Sequence, residues 1–410
     1  MRISRRTMTC GLAATLVAGC STGGGSPAGP SSAMRSIPNA GYDAWVARFK
    51  TRAAWQGISQ ATIDRAFRGA GYLPGVIERD RNQTEFKRSL EDYLAIAASD
   101  ERVSTGKAKL RQYNSTLSQI ESRYGVEKQV VTAIWGLESR YGERRGDIQV
   151  VSALSTLAYD GRRGSFFESQ LIAALKILQN GDTTVDRMTG SWAGAMGHTQ
   201  FIPTSYQAFA VDFNGDGRRD IWSDDPTDAL ASAAVYLSRN GWTRGQPWGV
   251  EVLLPAGFAG PFGRDTTRSP SQWAAQGVRD VNGGRVPDYG AASIIIPSGR
   301  NGPAFMTFRN FTVITRYNNS ESYVIGIGHL SDRIVGGPPI RGSFPPDASG
   351  MTIDDRKELQ RRLTAAGFDT DGADGVIGSN TEAAIRGYQR SVGLPETGEP
   401  SLDLLARLRR

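Results

Sequence analysis

Two histidines, His198 and His329, are all the imidazole that this 410-residue chain carries. A zinc centre built on several histidines is therefore nearly excluded, as is catalysis that passes protons among them. The chain has no G-x-S-x-G elbow, which removes the usual serine of an α/β-hydrolase. Cysteine is equally scarce, with Cys10 and Cys20 alone. No apolar run reaches the length of about 18 residues that a membrane-spanning helix needs. Lys plus Arg exceed Asp plus Glu by 48 to 41, and the net charge of +7 falls to about +4 without Arg2, Arg5 and Arg6. So diffuse a surplus argues against nucleic-acid binding and suits an anionic polymer. What remains is a loop-rich globular chain, with 49 Gly and 19 Pro, long enough for several domains and a cleft. Carboxylate chemistry gains by elimination.

Residues 1–19 read as a lipoprotein signal peptide. A basic start precedes a short apolar stretch from Met8 to Ala18, and Val17-Ala18-Gly19-Cys20 resembles a bacterial lipobox. Cys20 is then the mature first residue and carries lipid; an ordinary signal peptide cut nearby, with Cys20 incidental, is the alternative. Cys10 leaves with the leader, so no internal disulfide is expected. Residues 20–40, rich in Ser, Gly, Pro and Ala, form a flexible tether. The expected location is the periplasm, with the chain anchored by lipid to the outer membrane.

Helical patterns dominate 41 to about 240, with Leu90, Tyr93, Leu94 and Ala97 at helical spacing and Ser59 as a start signal. A glycine-rich loop interrupts them near 190–200. Between about 250 and 335, the runs VEVLL, SIIIP and YVIGIG predict strands. The body, 41–335, is thus α+β and mainly helical. Residues 336–350 (GGPPIRGSFPPDASG) form a linker by composition, and 351–410 form a second, compact unit.

The segment 126–142 (VEKQVVTAIWGLESRYG) is helical by pattern, with Gly142 placed to end it. Val130, Val131, Ile134, Trp135, Leu137 and Tyr141 share one arc, while Thr132, Gly136, Ser139 and Arg140 lie opposite. Glu138 falls inside the apolar arc. Burial penalises the charged form of such a carboxylate, raises its pKa and suits it to give and take a proton. A buried ion pair with Arg140, Arg144 or Arg145 is the alternative.

The string GLESRYG, then Gly190 to Gly197 (GSWAGAMG), then Gln200 to Tyr206 (QFIPTSY), resembles the membrane-bound lytic murein transglycosylase B family from about Tyr42 to Ile334. The resemblance implies a lysozyme-like catalytic core that cleaves peptidoglycan between N-acetylmuramic acid and N-acetylglucosamine, leaving a 1,6-anhydro sugar. It implies Glu138 as acid and base, no cofactor for catalysis, and glycan strands as the partner. Ser191 and Gln200 are the implied substrate residues of the two loop blocks, with Ser191 placed to bond Glu138 or the acetamido group. Tyr93, Tyr236, Tyr317, Asn318 and Tyr323 match positions of the glycan groove, and Val235 stands where the family often has Asn. Arg162 and Arg163 match an arginine pair that meets peptide-stem carboxylates, with a solvated basic turn as the alternative. A hydrolytic muramidase using the same glutamate, and a non-catalytic wall-binding lipoprotein, are the rival readings.

Asp212, Asn214 and Asp216 hold positions 1, 3 and 5 of an EF-hand-like loop, with the Arg218 carbonyl at 7 and Asp220 at 9. Position 12 is Ser223, so the closing carboxylate is sought further on, at Asp228 before Asp224 or Asp225. A structural Ca²⁺ site is expected, and a metal-free Asx-turn loop is the alternative. The motifs of 352–408, among them Gly367-Phe368, Asp374-Gly375-Val376-Ile377-Gly378 and Gly393-Leu394-Pro395, resemble a three-helix peptidoglycan-binding domain. DTDGADG is read as its inter-helix turn.

Overall fold

The structure, a computed structural model, describes residues 34–82 and 88–410. Cys20, the leader and most of the tether lie outside the described residues. The helical body opens with α1 (Ala40–Trp55), α2 (Gln60–Phe67), α3 (Pro74–Arg81), α4 (Leu90–Ala97), α5 (Asp100–Gln112), α6 (Asn114–Tyr124) and α7 (Lys128–Ser139). It continues with β1 (Ile148–Gln149), α8 (Val150–Asp160), α9 (Gly164–Asn180), β2 (Thr189–Gly190), α10 (Pro203–Phe209) and α11 (Thr227–Arg239). Then come β3 (Gly249–Leu253), α12 (Pro270–Ala275), β4 (Arg279–Asp280), β5 (Ser293–Ile295), β6 (Ala304–Thr307), α13 (Arg309–Ile314) and α14 (Glu321–Ile334). The chain ends with α15 (Ile353–Ala365), α16 (Ser379–Ser391) and α17 (Leu402–Leu408). The fold is α+β and mainly helical.

Side-chain caps start many of these helices. Ser59, Ser89, Ser99, Ser320 and Ser401 each accept a backbone N–H from the first turn. Such a cap is worth about 1 kcal/mol over alanine.

Helix α7 is not the amphipathic helix that its pattern predicts, because every residue from Val130 to Ser139 is buried. The polar positions opposite the apolar arc are satisfied inside the core. Thr132 donates to the Lys128 carbonyl at 2.8 Å, and Ser139 donates to the His198 carbonyl at 2.6 Å. A helix covered on all sides is a central helix, here packed by α5, α6, α11 and α14.

The run YVIGIG is also corrected: it is helix, in α14, and the expected strands of 250–335 are further interrupted by α12 and α13. Its β-branched residues face a fully packed interior, so a short apolar run alone could not separate buried helix from strand. Ser320 caps the helix at Tyr323 N. The two glycines serve close packing, since a Cβ at Gly326 would stand 2.8 Å from the Tyr93 ring and one at Gly328 2.3 Å from Trp248.

The main sheet is antiparallel, with order β4-β3-β6-β5 and Val250 opposite Met306. Successive side chains alternate faces. Ile295 and Phe305 join the helical core, while Ile294, Ala304 and Met306 pack with Trp273 of α12 in a separate cluster. The last three helices enclose their own core of Met351, Leu359, Leu363, Ile385, Leu404 and Leu405. DTDGADG lies between α15 and α16. The segment before α15 is docked, not free: a Glu251 carboxylate oxygen accepts Arg341 N at 2.9 Å and the other accepts Gly342 N at 2.6 Å.

Candidate active site

Three successive left-handed residues, Arg140 (φ 52°), Tyr141 (φ 57°) and Gly142 (φ 90°), end α7 abruptly. Glu138 therefore sits in the last helical turn, where the helix dipole disfavours a negative charge. It is 3% exposed. Nothing about helix stability calls for a carboxylate there. The hydroxyl of Tyr323, on α14, donates to Glu138 Oε1 at 2.5 Å. The hydroxyl of Tyr317 donates to the Thr199 carbonyl at 2.6 Å. Burial, and then the nearby charge of Glu138, push both phenols well above their ordinary pKa, so each stays a donor. Of the arginines weighed as ion-pair partners, Arg140 is engaged by Glu101, and Arg145 by Asp224 and the carbonyls of Trp222 and Ser223.

The glycine-rich loop is bonded into α7. The β1 and β2 strands pair Gln149 with Thr189, and isolated bridges join Gly190 to Met196 and Met196 to Phe201. Ser191 Oγ accepts Ala195 N at 3.1 Å, so this hydroxyl oxygen helps to shape the loop, and its own O–H is a further donor. Gln200 likewise turns inward: in a left-handed conformation, φ 50°, its amide donates to the carbonyls of Arg145 and Gly197. His198 is the residue that sequence reasoning missed. Its Nδ1 accepts Trp135 Nε1–H at 3.0 Å, which leaves the proton on Nε2 to meet the Ser223 carbonyl at 2.7 Å. Burial lowers its pKa to about 4 and keeps it neutral. A lone histidine directly after GSWAGAMG was the available signal.

The remaining groove residues separate into two groups. Tyr236 packs its ring on Phe201, Phe209 and Tyr317, its hydroxyl donates to the Arg316 carbonyl, and burial raises it to about 12. Asn318 accepts Ser320 N at 3.0 Å and so forms the turn that starts α14. Tyr93, on α4, lies against Gly326 of α14. Tyr93, Tyr236, Tyr317, Asn318 and Tyr323 thus belong to one neighbourhood around α14. Arg162 and Arg163 do something else. Both hold Asp80 of α3, at 2.7 and 2.6 Å, and the Asp80 side chain is 1% exposed. Burial alone would raise that carboxyl, but the two guanidinium bonds hold it below the ordinary range. The pair clamps α3 to the α8 to α9 turn, a contact that neither sequence reading contained.

Oxygen atoms of Asp212, Asp216 and Asp228 lie within 4.8 Å of one another. Asp212 accepts Gly215 N and Gly217 N, Asn214 accepts Asp216 N, and Asp216 accepts Arg218 N. Asp228 accepts Phe213 N and Asp220 N. Asp224 is taken by Arg145, and Asp225 caps Thr227, so neither closes the loop. The Asp220 side chain turns to Trp222 N, Ser223 N and Arg187. Burial raises the Asp228 carboxyl despite its amide bonds, and the charge of Asp212 adds to the rise. Three converging carboxylates, one of them desolvated, fit a hard divalent cation with oxygen ligands.

A model of the transglycosylase SLT domain matches residues 41–332. The chain belongs to that family. A peptidoglycan-binding domain model matches residues 352–408. Among curated proteins, membrane-bound lytic murein transglycosylase B of Escherichia coli K12 is 33% identical over 237 residues, which cover 57% of this chain and 64% of that protein. Among solved structures, SltB3 from Pseudomonas aeruginosa in complex with NAG-NAM-pentapeptide is 46% identical, with a TM-score of 0.74 over 90% of this chain and all of that one. The Escherichia coli lytic transglycosylase Slt35 in complex with calcium is 28% identical, with a TM-score of 0.62 over 72% of this chain and 93% of that one. The lysozyme-like architecture of this SLT transglycosylase follows from those neighbours.

Proposed function

We propose that this chain is a peptidoglycan lytic transglycosylase, cleaving the β-1,4 bond between N-acetylmuramic acid and N-acetylglucosamine with formation of 1,6-anhydromuramic ends. The observation that carries the reading is Glu138: a buried carboxylate at the unfavourable end of α7, with a phenol donating to it. Ordinary glycosidases use two carboxylates, whereas a substrate acetamido group can stabilise the anomeric cation in place of the second. The protonated Glu138 gives its proton to the glycosidic oxygen as the C1–O4 bond breaks and its electron pair leaves with O4. The resulting carboxylate takes the proton of the C6 hydroxyl as O6 bonds C1, which restores the acid. Tyr323 holds the carboxylate in place through both steps. SltB3 was solved with NAG-NAM-pentapeptide and with NAG-anhNAM-pentapeptide, the second carrying the anhydro sugar that such a reaction leaves.

The loop 212–228 holds a structural Ca²⁺ in this reading, through Asp212, Asn214, Asp216, the Arg218 carbonyl and Asp228. The ion stabilises the fold and takes no part in the chemistry. Residues 41–335 form the catalytic region and 351–410 the wall-binding unit, with 336–350 between them. Cys20 carries the lipid that keeps the enzyme at the outer membrane, facing the periplasm.

Mass spectrometry of digested glycan strands tests the reaction. Anhydromuramyl ends from the wild type, and none from folded Glu138→Gln, are expected. Reducing ends as the main product would make the enzyme a hydrolase, and full turnover by Glu138→Gln would remove the assignment.

A further inference from the structure

Arg356, on α15, is 3% exposed, and its guanidinium has five N–H donors in a rigid plane. Each finds an acceptor. Nε donates to the Gly375 carbonyl at 2.7 Å, and Nη1 donates to Asp347 Oδ2 at 2.9 Å and the Met351 carbonyl at 3.2 Å. Nη2 crosses to α4, to Glu91 Oε2 at 3.0 Å and Asp92 Oδ1 at 2.8 Å. One cation thus ties the C-terminal unit, its linker and the helical body together. Burial raises the Glu91 carboxyl in spite of Arg356, so the joint is desolvated. A lysine, a point charge with three donors, could not replace this fork.

The position of the joint matters as much as its strength. The residue after Asp92 is Tyr93, whose ring lies against Gly326 of α14, the helix that also presents Tyr323 to Glu138. A continuous line of contacts therefore runs from the C-terminal unit to the carboxylate. The linker is fixed as well, by Glu251 on the backbone at 341–342 and by Arg341 on Asn282.

We infer that Arg356 is a positioning residue: it locks the wall-binding unit onto α4, so that a glycan strand held by that unit meets Glu138 at a set place. The inference rests on the functional reading above. It differs from simple tethering, in which the unit only raises the local concentration of polymer and its orientation is free.

The test uses the full chain with Glu91→Ala plus Asp92→Ala, which opens the joint from the α4 side and leaves the contacts of Arg356 within its own unit. Four quantities are compared with wild type: small-angle scattering, sacculus binding, the initial rate on sacculi, and kcat and KM on short soluble glycans. The scattering radius is expected to grow, and sacculus binding and soluble-glycan kinetics to stay unchanged. The rate on sacculi is expected to fall about tenfold, a modest part of what losing a set orientation can cost. Glu91→Gln plus Asp92→Asn, which keeps acceptor oxygens, should recover most of that rate. An unchanged scattering profile, or undiminished sacculus digestion with the joint open, overturns the inference. So does a parallel loss on soluble glycans, which would place the effect in the groove itself. A wild type that cleaves neither substrate overturns the functional reading and this inference with it.

Discussion

Glu138 and Asp228 are both buried carboxylates, 3% and 2% exposed, and they are held in opposite ways. Asp228 accepts three backbone amides, from Phe213, Asn214 and Asp220, all within 15 residues of it. Glu138 accepts a side-chain hydroxyl from Tyr323, 185 residues away. Backbone amides are fixed donors that favour the charged form, and they leave the remaining charge to be met by a cation. A phenol partner can donate to the carboxylate and, with its hydroxyl turned, accept from the carboxylic acid. The first arrangement suits a structural site and the second a group that must alternate between acid and base.

Exchanging charge for amide at each site tests that contrast most strongly. Glu138→Gln is expected to lower glycan cleavage by about 10³-fold or more, at the upper end of what acid and base catalysis contributes, with no loss of melting temperature. Asp228→Asn should do the reverse, keeping the turnover of the folded enzyme while lowering its melting temperature. Chromatography of released muropeptides beside thermal unfolding checks both. Equal loss of turnover in two folded variants would erase the distinction.

The contrast also explains what could be read from sequence. The carboxylate cluster of the loop was legible, including Asp228 in place of Ser223, because its contacts are local and the spacing of its oxygens is a chemical constraint. The helix around Glu138 was legible too, from its period, although it ends at Ser139 with Arg140 and not Gly142 as its cap. Its partner helix was not, since Tyr323 lies in a β-branched run that only tertiary packing, by way of Gly326 and Gly328, makes helical. The contact of Arg162 and Arg163 with Asp80 was hidden for the same reason: Asp80 lies 82 and 83 residues before them, and no spacing rule joins such a pair. Nor does any local signal tell that the hydroxyl oxygen of Ser191 accepts Ala195 N.

A smaller effect is expected from Tyr323→Phe, which removes the hydroxyl and keeps the ring. A hydrogen bond to a charged group is worth about 1.5 to 3 kcal/mol, so kcat should fall roughly 10- to 100-fold. KM should change little, because the bond is made to the enzyme's own carboxylate. A fall in KM-controlled binding with kcat intact would move Tyr323 from the carboxylate to the substrate.

At the amide-held site, added Ca²⁺ should raise the melting temperature. At 100 times its dissociation constant the ion contributes about 2.7 kcal/mol, or a few degrees in a chain of this size. Asp212→Ala plus Asp216→Ala should abolish the shift and spare turnover at low temperature. Identical melting curves with calcium and with chelator would remove the metal and leave an Asx-turn loop.

The smallest effect concerns acid, and its sign can be worked out. Burial lowers both histidines, His198 and His329, from 6.5 to about 4. Between those values the unfolded chain binds more protons than the folded one, so stability is present above about pH 6.5 and is lost as the pH falls toward 4. At pH 5.5 the loss is on the order of 1 kcal/mol per histidine relative to neutrality. The two contributions differ in consequence. A proton on His198 Nδ1 would end its acceptance of Trp135 Nε1–H and loosen the loop that carries Ser191 and Gln200 against α7. His329 lies on α14, with the charge of Arg333 nearby. Replacing His329 by Gln should therefore flatten the acid limb of melting temperature against pH by about half. The acid limb of activity, which follows the His198 loop, should stay where it is. If His329→Gln moved the activity limb as far as the stability limb, acid would be acting on the whole fold and the His198 contact would have no separate role.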